Sequence, residues 1–413
     1  LFSLMGCTAS ETSRGQAEAA AGETEGGATL SVQVLPGVDV LLTDSLHLVR
    51  NLRVGLITNH TGIDAKGIPS IDRLVTAPEV DLVSLFSPEH GIRGTERGGD
   101  AIDSTRDEAT GLPIHSLYGD TRKPTPEMLK GLDVLLFDIQ DVGARYYTYV
   151  STMALSMEAA GEMGIPMVIL DRPNPIGGQA VQGNVLDPEY STFVGLYPIP
   201  MRHGMTPGEL ARMFAGEFGV EAELHVVPAT GWTREMTFHE TGLPWVPPSP
   251  NMPSVESALH YPGTCLFEGT NISVGRGTDR AFQLLGAPWL EPEALAAALE
   301  AYELPGVRFE AVRFTPRQSG DRKFDGEEIG GVALTALSPA YDPTVTALAL
   351  LLETRKMSGD RWEWRVSHFD RLAGTDELRR GVEEGKSLQV LQAGWKEALA
   401  AFRDLRTPYL IYP

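Results

Sequence analysis

The chain has 413 residues, 42% hydrophobic and 22% charged, the balance of a folded, water-facing protein, and at this length two domains are the expectation. A formal net charge of −21 argues against a polyanionic partner such as nucleic acid, because phosphate contacts need clustered Lys and Arg. No apolar run reaches the roughly 18 residues of a membrane-spanning helix.

The first segment reads as an address. Leu4-Met5-Gly6-Cys7 resembles the end of a bacterial lipoprotein signal, in which small residues precede a Cys that receives lipid. Cys7 is therefore the expected lipidation site, and the expected location is the cell envelope, as an exported lipoprotein on the periplasmic side of a bacterial membrane. Residues 8–29, "TASETSRGQAEAAAGETEGGAT", are small, polar and acidic without apolar periodicity, so residues 1–29 read as signal remnant and flexible tether. Cys265 is the other thiol. No structural disulfide is expected, and a lone Cys is ordinarily packing.

Four short apolar runs follow: "VGLIT" (54–58), "LVSLF" (82–86), "DVLLFD" (133–138) and "MVILD" (167–171). Runs this continuous predict strands buried on both faces, as in a parallel sheet. Helical stretches lie between them, including "IPSIDRLVTA" and "YTYVSTMALSMEAAGEMG". The fold class predicted is α/β, with a doubly wound, mostly parallel sheet over residues 30–255.

Polar residues follow each strand. Asn59 and His60 come after the first, Glu89 and His90 after the second. Asp138, Gln140, Asp141, Arg145 and Tyr146 follow the third, and Asp171, Arg172 and Asn174 the fourth. In a parallel sheet these tails share the carboxyl edge, where doubly wound folds bind ligands. Each residue also has a structural reading. Asp171 and Asn59 suit helix caps; Arg145 suits an ion pair with Asp138 or Asp141, and Tyr146, Tyr147 and Tyr149 suit core packing. Glu89 differs: a carboxylate beside His90 in a Pro/Gly turn has no obvious capping role.

No G-x-G-x-x-G follows the first strand, so a nicotinamide cofactor is not expected. His60, Glu89, His90, Asp138, Asp141 and His203 would suit zinc or a harder ion if they converged, yet no tight ligand spacing such as H-x-x-x-H appears. Neither cofactor nor metal is assigned.

Further along, "LPWVPPSPNMPS" (243–254) is a rigid irregular segment presenting Trp245 and Asn251. "YPGTCLFEGTNISVGRGTDRAFQLLGAPW" then scatters Glu268, Asn271, Arg276 and Asp279 among glycines, the look of a binding surface. Beyond residue 290, "EPEALAAALEAYEL", "GVRFEAVRF", "GGVALTAL", "DPTVTALALLLETRKM" and "SLQVLQAGWKEALAAFRDL" read as amphipathic helix and strand. A second, smaller α+β domain is predicted over residues 256–413.

"SPEHGIRG", "DIQDVGARYYTY", "DRPNPIGG", "RHGMTPGELA", "PPSPNMPS", "YPGTCLFEGTN" and "GRGTDR", seven collinear motifs, together resemble the exo-β-N-acetylmuramidase family of the NamZ type. The resemblance runs from about Val38 to "TPYLIYP". It implies a peptidoglycan-recycling glycosidase that removes terminal N-acetylmuramic acid from the non-reducing end of glycan or muropeptide fragments. It also implies a Rossmann-like domain without a nucleotide and an active cleft against a smaller C-terminal domain.

Glycoside cleavage needs a carboxylic acid to protonate the leaving oxygen and a second group at the oxocarbenium-like centre. Carried over from the Pro-Glu-His-Gly motif, Glu89 is the expected general acid, with His90 orienting it or binding a hydroxyl. For the second group the candidates are Asp138, Asp141, Asp171 and Glu268, with Asp141 preferred, and the substrate's own acetamido oxygen is another route. Arg145, Arg202 and Arg276 are candidates for the lactyl carboxylate, since guanidinium recognises carboxylates bidentately; Tyr146 and Trp245 are candidates for stacking. Asn59, His60, Asp171, His203, Asn251 and Glu268 complete the expected binding set. The sequence departs from the family pattern at Gln182 and Gln283, where Glu is usual. That departure keeps a second reading open, a catalytically silent, tethered muropeptide-binding module. A third is a metal-dependent hydrolase using His60, His90 and His203 with Asp138.

Overall fold

A computed structural model describes residues 33–89, 91–93, 105–119 and 121–413. Cys7, the tether and His90 lie outside these residues. In chain order the first strands are β1 (Arg53–Thr58), β2 (Asp81–Ser87), β3 (Thr105–Arg106), β4 (Pro113–Ser116), β5 (Val134–Asp138) and β6 (Met167–Leu170). A hairpin of β7 (Gln182–Val185) and β8 (Pro200–Arg202) precedes β9 (Leu224–Val227). Seven of these strands form one sheet in the order β3-β4-β2-β1-β5-β6-β9, parallel except for β3. The order reverses beside β1: β2 and β4 build outward on one side, β5, β6 and β9 on the other. The loops after β1 and β5 therefore flank the crevice at the carboxyl edge where such sheets take ligands.

The apolar runs form strands because both their faces are covered. On one face Val54, Leu56, Leu85, Leu136 and Val168 pack with Val38, Leu41, Ile71 and Leu74, from the helices Gly37–Thr43 and Ser70–Thr76. On the other, Ile57, Phe86, Phe137 and Ile169 join Met153, Met157, Leu210 and Phe214, from the helices Tyr149–Met163 and Pro207–Glu217. The second of these starts where Thr206 and Glu209 form a capping box around Pro207, which satisfies amides that a helix end leaves open. Strands β3, β4 and β9 were not marked by continuous apolar runs, since they are short and lie towards the sheet's edges, where one side needs no apolar cover.

Past residue 256 an antiparallel sheet of β10 (Leu284–Ala287), β11 (Val307–Phe314) and β12 (Ile329–Ala336) has the order β10-β12-β11. The helices Val255–Thr264 and Pro343–Ser358 pack together beside it. The second of these corrects the amphipathic expectation: Val345, Leu348, Leu350 and Leu351 are buried, and so are Thr346, Glu353 and Thr354. One apolar core runs from Phe137 and Tyr146 through Tyr261, Phe267 and Phe282 to Leu348 and Phe369. No helix among the described residues is long and apolar enough to cross a membrane.

Candidate active site

The carboxyl-edge loops are stitched to one another. After β1, Asn59 Oδ1 accepts from the Thr61 amide at 2.9 Å and the Thr61 hydroxyl at 2.6 Å. Thr61 Oγ1 in turn accepts from the Gln140 amide of the β5 loop at 2.9 Å, and the Gln140 side chain donates to the Pro173 carbonyl beyond β6 at 3.0 Å. Asn59 thus holds the floor of the crevice rather than its lining. Asp138, at the end of β5, is fully buried and takes Arg172 bidentately, at 2.6 Å and 3.1 Å, together with the Ser70 hydroxyl. The expectation of a catalytic Asp138 is corrected, because its carboxylate is fully buried and does not line the cleft that holds Glu89.

A cleft of about 1250 Å³ opens at the same edge, lined by residues that follow β2, β4 and β5. Glu89 lines it just past β2, where the Gly91 amide donates to the Pro88 carbonyl at 3.2 Å and Gly91 has φ of +73°. That backbone region favours glycine, so the expected Pro/Gly turn is present. Glu89 accepts from the Tyr118 hydroxyl at 2.9 Å and the Thr148 hydroxyl at 3.2 Å. Tyr118 follows β4, and Thr148 immediately precedes the helix Tyr149–Met163. Three separate sheet-edge segments therefore converge on one carboxylate.

Glu268 and Arg276 line the same cleft, paired with 2.6 Å between Arg276 Nε and Glu268 Oε1. Burial would push the Arg276 guanidinium down, but Glu268 outweighs it and the net direction is upward. Asn251 and Tyr146 also line the cleft. The Tyr146 ring is buried and its hydroxyl donates to the Pro262 carbonyl, a packing and anchoring role.

Asp141 lies off the cleft lining. Its Oδ2 accepts from the Gly143 amide at 2.7 Å and stands 3.9 Å from His203 Nε2, while Oδ1 has no hydrogen-bond partner among the described residues. Burial pushes this carboxyl up to about 7, against the pull of the Gly143 and Val142 amides. Burial pushes His203 down to about 3, helped by Arg406, Arg202 and Arg234. The Met205 amide donates to His203 Nδ1 at 3.2 Å, which places the proton of the neutral ring on Nε2, towards Asp141.

Several expected binding residues are committed elsewhere. Arg145 is buried and donates to four carbonyls, Asn184 at 2.8 Å, Ile199 at 3.0 Å, Leu372 at 3.1 Å and Ala373 at 2.7 Å. Arg202 donates to Gln182 Oε1 at 2.9 Å and to the Ile176 carbonyl. Neither guanidinium lines the cleft, so the structure corrects both as readers of a substrate carboxylate. Asp171 takes the structural alternative, accepting from Tyr412 at 2.6 Å, Thr206 at 2.7 Å and the Gly208 amide at 2.8 Å near a helix start. His60 Nε2 meets the Pro247 carbonyl at 2.8 Å. Trp245 packs edge-on against Phe238 away from the cleft. His60, Asp138 and His203, considered above as a metal set, thus belong to three separate hydrogen-bond sets, and no group of three or more His, Cys, Asp or Glu is placed to hold a metal among the described residues.

Comparison with known proteins gives a consistent answer. Residues 54–256 match the model of the exo-β-N-acetylmuramidase NamZ N-terminal region, and residues 259–412 match that of its C-terminal region. The chain belongs to the NamZ family. The peptidoglycan β-N-acetylmuramidase NamZ of Bacillus subtilis is 47% identical over 382 residues, 92% of each chain. Two crystal structures of DUF1343 family proteins from Bacteroides fragilis share the fold. One has a TM-score of 0.87 at 38% identity, covering 92% of this chain and 100% of its own; the other has 0.73 at 35%, covering 92% and 99%.

Within this NamZ-family cleft the two glutamines that depart from the family pattern are not on the lining. Gln182 bridges Arg202 and the Tyr341 carbonyl at 3.3 Å, and Gln283 donates to Ser257 at 3.1 Å. Neither supplies a reason for a silent site. Sequence reasoning missed Tyr118, Thr148, Arg365 and His368, all of which line the cleft. Tyr118 stands two residues after the end of β4 and Thr148 directly before a helix start, the signals that would have marked them. Arg365 and His368 sit in the C-terminal region without any motif around them.

Proposed function

We propose that this chain is an exo-acting glycoside hydrolase that releases terminal β-1,4-linked N-acetylmuramic acid from the non-reducing end of peptidoglycan fragments. The observation that carries this reading is the cleft that gathers Glu89 and Glu268 in a chain 47% identical to a peptidoglycan β-N-acetylmuramidase. Glu89 is the general acid, aimed by the Tyr118 and Thr148 hydroxyls. Glu268 takes the second carboxylate role, oriented by Arg276. The Leu4-Met5-Gly6-Cys7 segment and the polar stretch after it support anchoring at the cell envelope through lipid on Cys7.

The test is release of N-acetylmuramic acid from the β-1,4-linked MurNAc-GlcNAc disaccharide by the full chain, with and without chelator. Glu89→Gln and Glu268→Gln are each expected to lower kcat by about 100-fold or more, while Asp141→Asn keeps most of the turnover. Binding of the disaccharide without release would make the chain a binding module. Activity abolished by chelator would move it to metal-dependent hydrolysis.

A further inference from the structure

N-acetylmuramic acid differs from N-acetylglucosamine by a lactyl ether ending in a carboxylate, so an enzyme selective for it needs a cation placed for that group. Among the arginines that the sequence offered, Arg145 gives both terminal nitrogens to carbonyls and Arg202 gives its two to Gln182 and Ile176, and neither lines the cleft. Arg276 lines the cleft but gives Nε and one terminal nitrogen to Glu268. Three other arginines line the cleft, Arg317, Arg322 and Arg365. None of their guanidinium groups makes an ion pair or hydrogen bond within the described residues, and the three are separated by their placement.

Arg365 stands beside the Glu268–Arg276 pair. Its backbone amide donates to the Gly269 carbonyl at 2.8 Å, one residue after Glu268. Surrounding groups form a cluster with more cations than acids. Lys323 is buried and donates to the Phe267 and Ile272 carbonyls, both at 2.9 Å. His368 lines the cleft, with Nδ1 2.6 Å from Arg371. Burial, Arg371, Arg365 and Lys323 push its imidazole down while Glu268 pushes it up, which fits a neutral ring within reach of all four charges. On the acidic side, Asp321 Oδ1 accepts from the Lys323 amide at 3.2 Å and Asp325 Oδ1 from the Ser319 amide at 3.4 Å, so both turn to their own loop. Arg317 and Arg322 belong to that loop, whereas Arg365 is among the charges that act on both His368 and Lys323.

Building on the functional reading above, we propose that Arg365 is the specificity-determining residue for the carboxylate of the terminal sugar, binding it beside the open edge of the Arg276 guanidinium. A planar fork suits a carboxylate bidentately, and an unpartnered one gives up only water to bind it. Glu268 separates the two arginines' duties: it aligns Arg276 and leaves Arg365 to the ligand.

Equilibrium binding of N-acetylmuramic acid, its methyl ester and N-acetylglucosamine to the full chain tests this without requiring turnover. Wild type should bind the acid about 30-fold more tightly than the ester, the range of a charge-assisted hydrogen bond. Arg365→Ala should bind acid and ester alike, and Arg365→Lys should recover part of the difference, since it keeps the charge without the fork. With the disaccharide, the Arg365→Ala loss should appear in KM more than in kcat, because the contact is the same in ground and transition state. An acid-to-ester ratio that survives Arg365→Ala, or one that disappears instead in Arg317→Ala or Arg322→Ala, overturns the assignment. Acid selectivity that depends on Arg365 in a protein that releases no sugar would leave the assignment standing and sink the hydrolase reading.

Discussion

Asp141 and His203 oppose each other in their dependence on pH. The Asp141 carboxyl goes from an ordinary 3.8 to about 7 on folding, so below that range its contribution to stability is whole, and it is lost as pH rises through it. His203 goes from 6.5 to about 3, so its contribution is whole above 6.5 and lost as pH falls. Across the shared window the two slopes cancel in wild type. Asp141→Asn removes one of them. Its stability relative to wild type should therefore rise with pH between the two Asp141 values, by up to about 4 kcal/mol, and its own curve should fall more steeply on acidification. Thermal unfolding of both proteins from pH 4 to pH 8 reads this directly, and parallel curves would mean that Asp141 holds no extra proton. The sequence made Asp141 visible through its place after a strand, as it did Glu89 through the Pro/Gly turn. What it concealed is that Asp141 is buried off the cleft lining, because His203, which stands 3.9 Å from it, comes from more than 60 residues further along the chain.

Elements were legible where local chemistry decides them. The strands β1, β2, β5 and β6 were evident because each apolar run must be covered on both faces. Arg145 shows what was not legible. Its acceptors Leu372 and Ala373 belong to the end of the helix Val366–Ala373, a connection that no pattern near residue 145 encodes. Gly374, at φ of +70°, closes that helix with its α-carbon against the guanidinium: a side chain there would sit 2.9 Å from Arg145 Nη2. Arg145→Met should leave four carbonyls in a dry interior without donors and cost about 3 kcal/mol or more. Chemical denaturation is expected to show that loss, whereas the acid-to-ester preference of bound N-acetylmuramic acid should persist in the folded fraction. A lost preference with unchanged stability would return Arg145 to the substrate.

At the scale of the whole molecule, the last residues of the chain complete the first sheet. The Tyr412 hydroxyl donates to Asp171 Oδ2 at 2.6 Å and accepts from the Ala229 amide at 2.9 Å. The Ile411 amide donates to Glu209 at 2.8 Å, and the Pro413 carbonyl accepts from the Arg234 amide at 3.0 Å. Tyr412 also closes a small apolar cluster with Val34, Ala229 and Trp232. Asp171 follows β6 and Glu209 belongs to the capping box, so both are buried carboxylates of the α/β region that take donors from the opposite end of the sequence. Tyr412→Phe keeps the ring against Trp232 and removes only the hydroxyl, which should cost about 1–3 kcal/mol because a buried donor and a buried acceptor both lose their partner. Removing residues 407–413 takes the ring as well, and should lower the melting temperature of the entire chain in a single transition. A fragment of residues 33–256 should then lack a cooperative melt of its own, since Asp171, Glu209 and the Trp232 cluster would all be uncovered. Were that fragment to unfold cooperatively at the temperature of the intact protein, the C-terminal contacts would be dispensable to the sheet. The two regions matched by separate family models would then be independent folding units rather than parts of one.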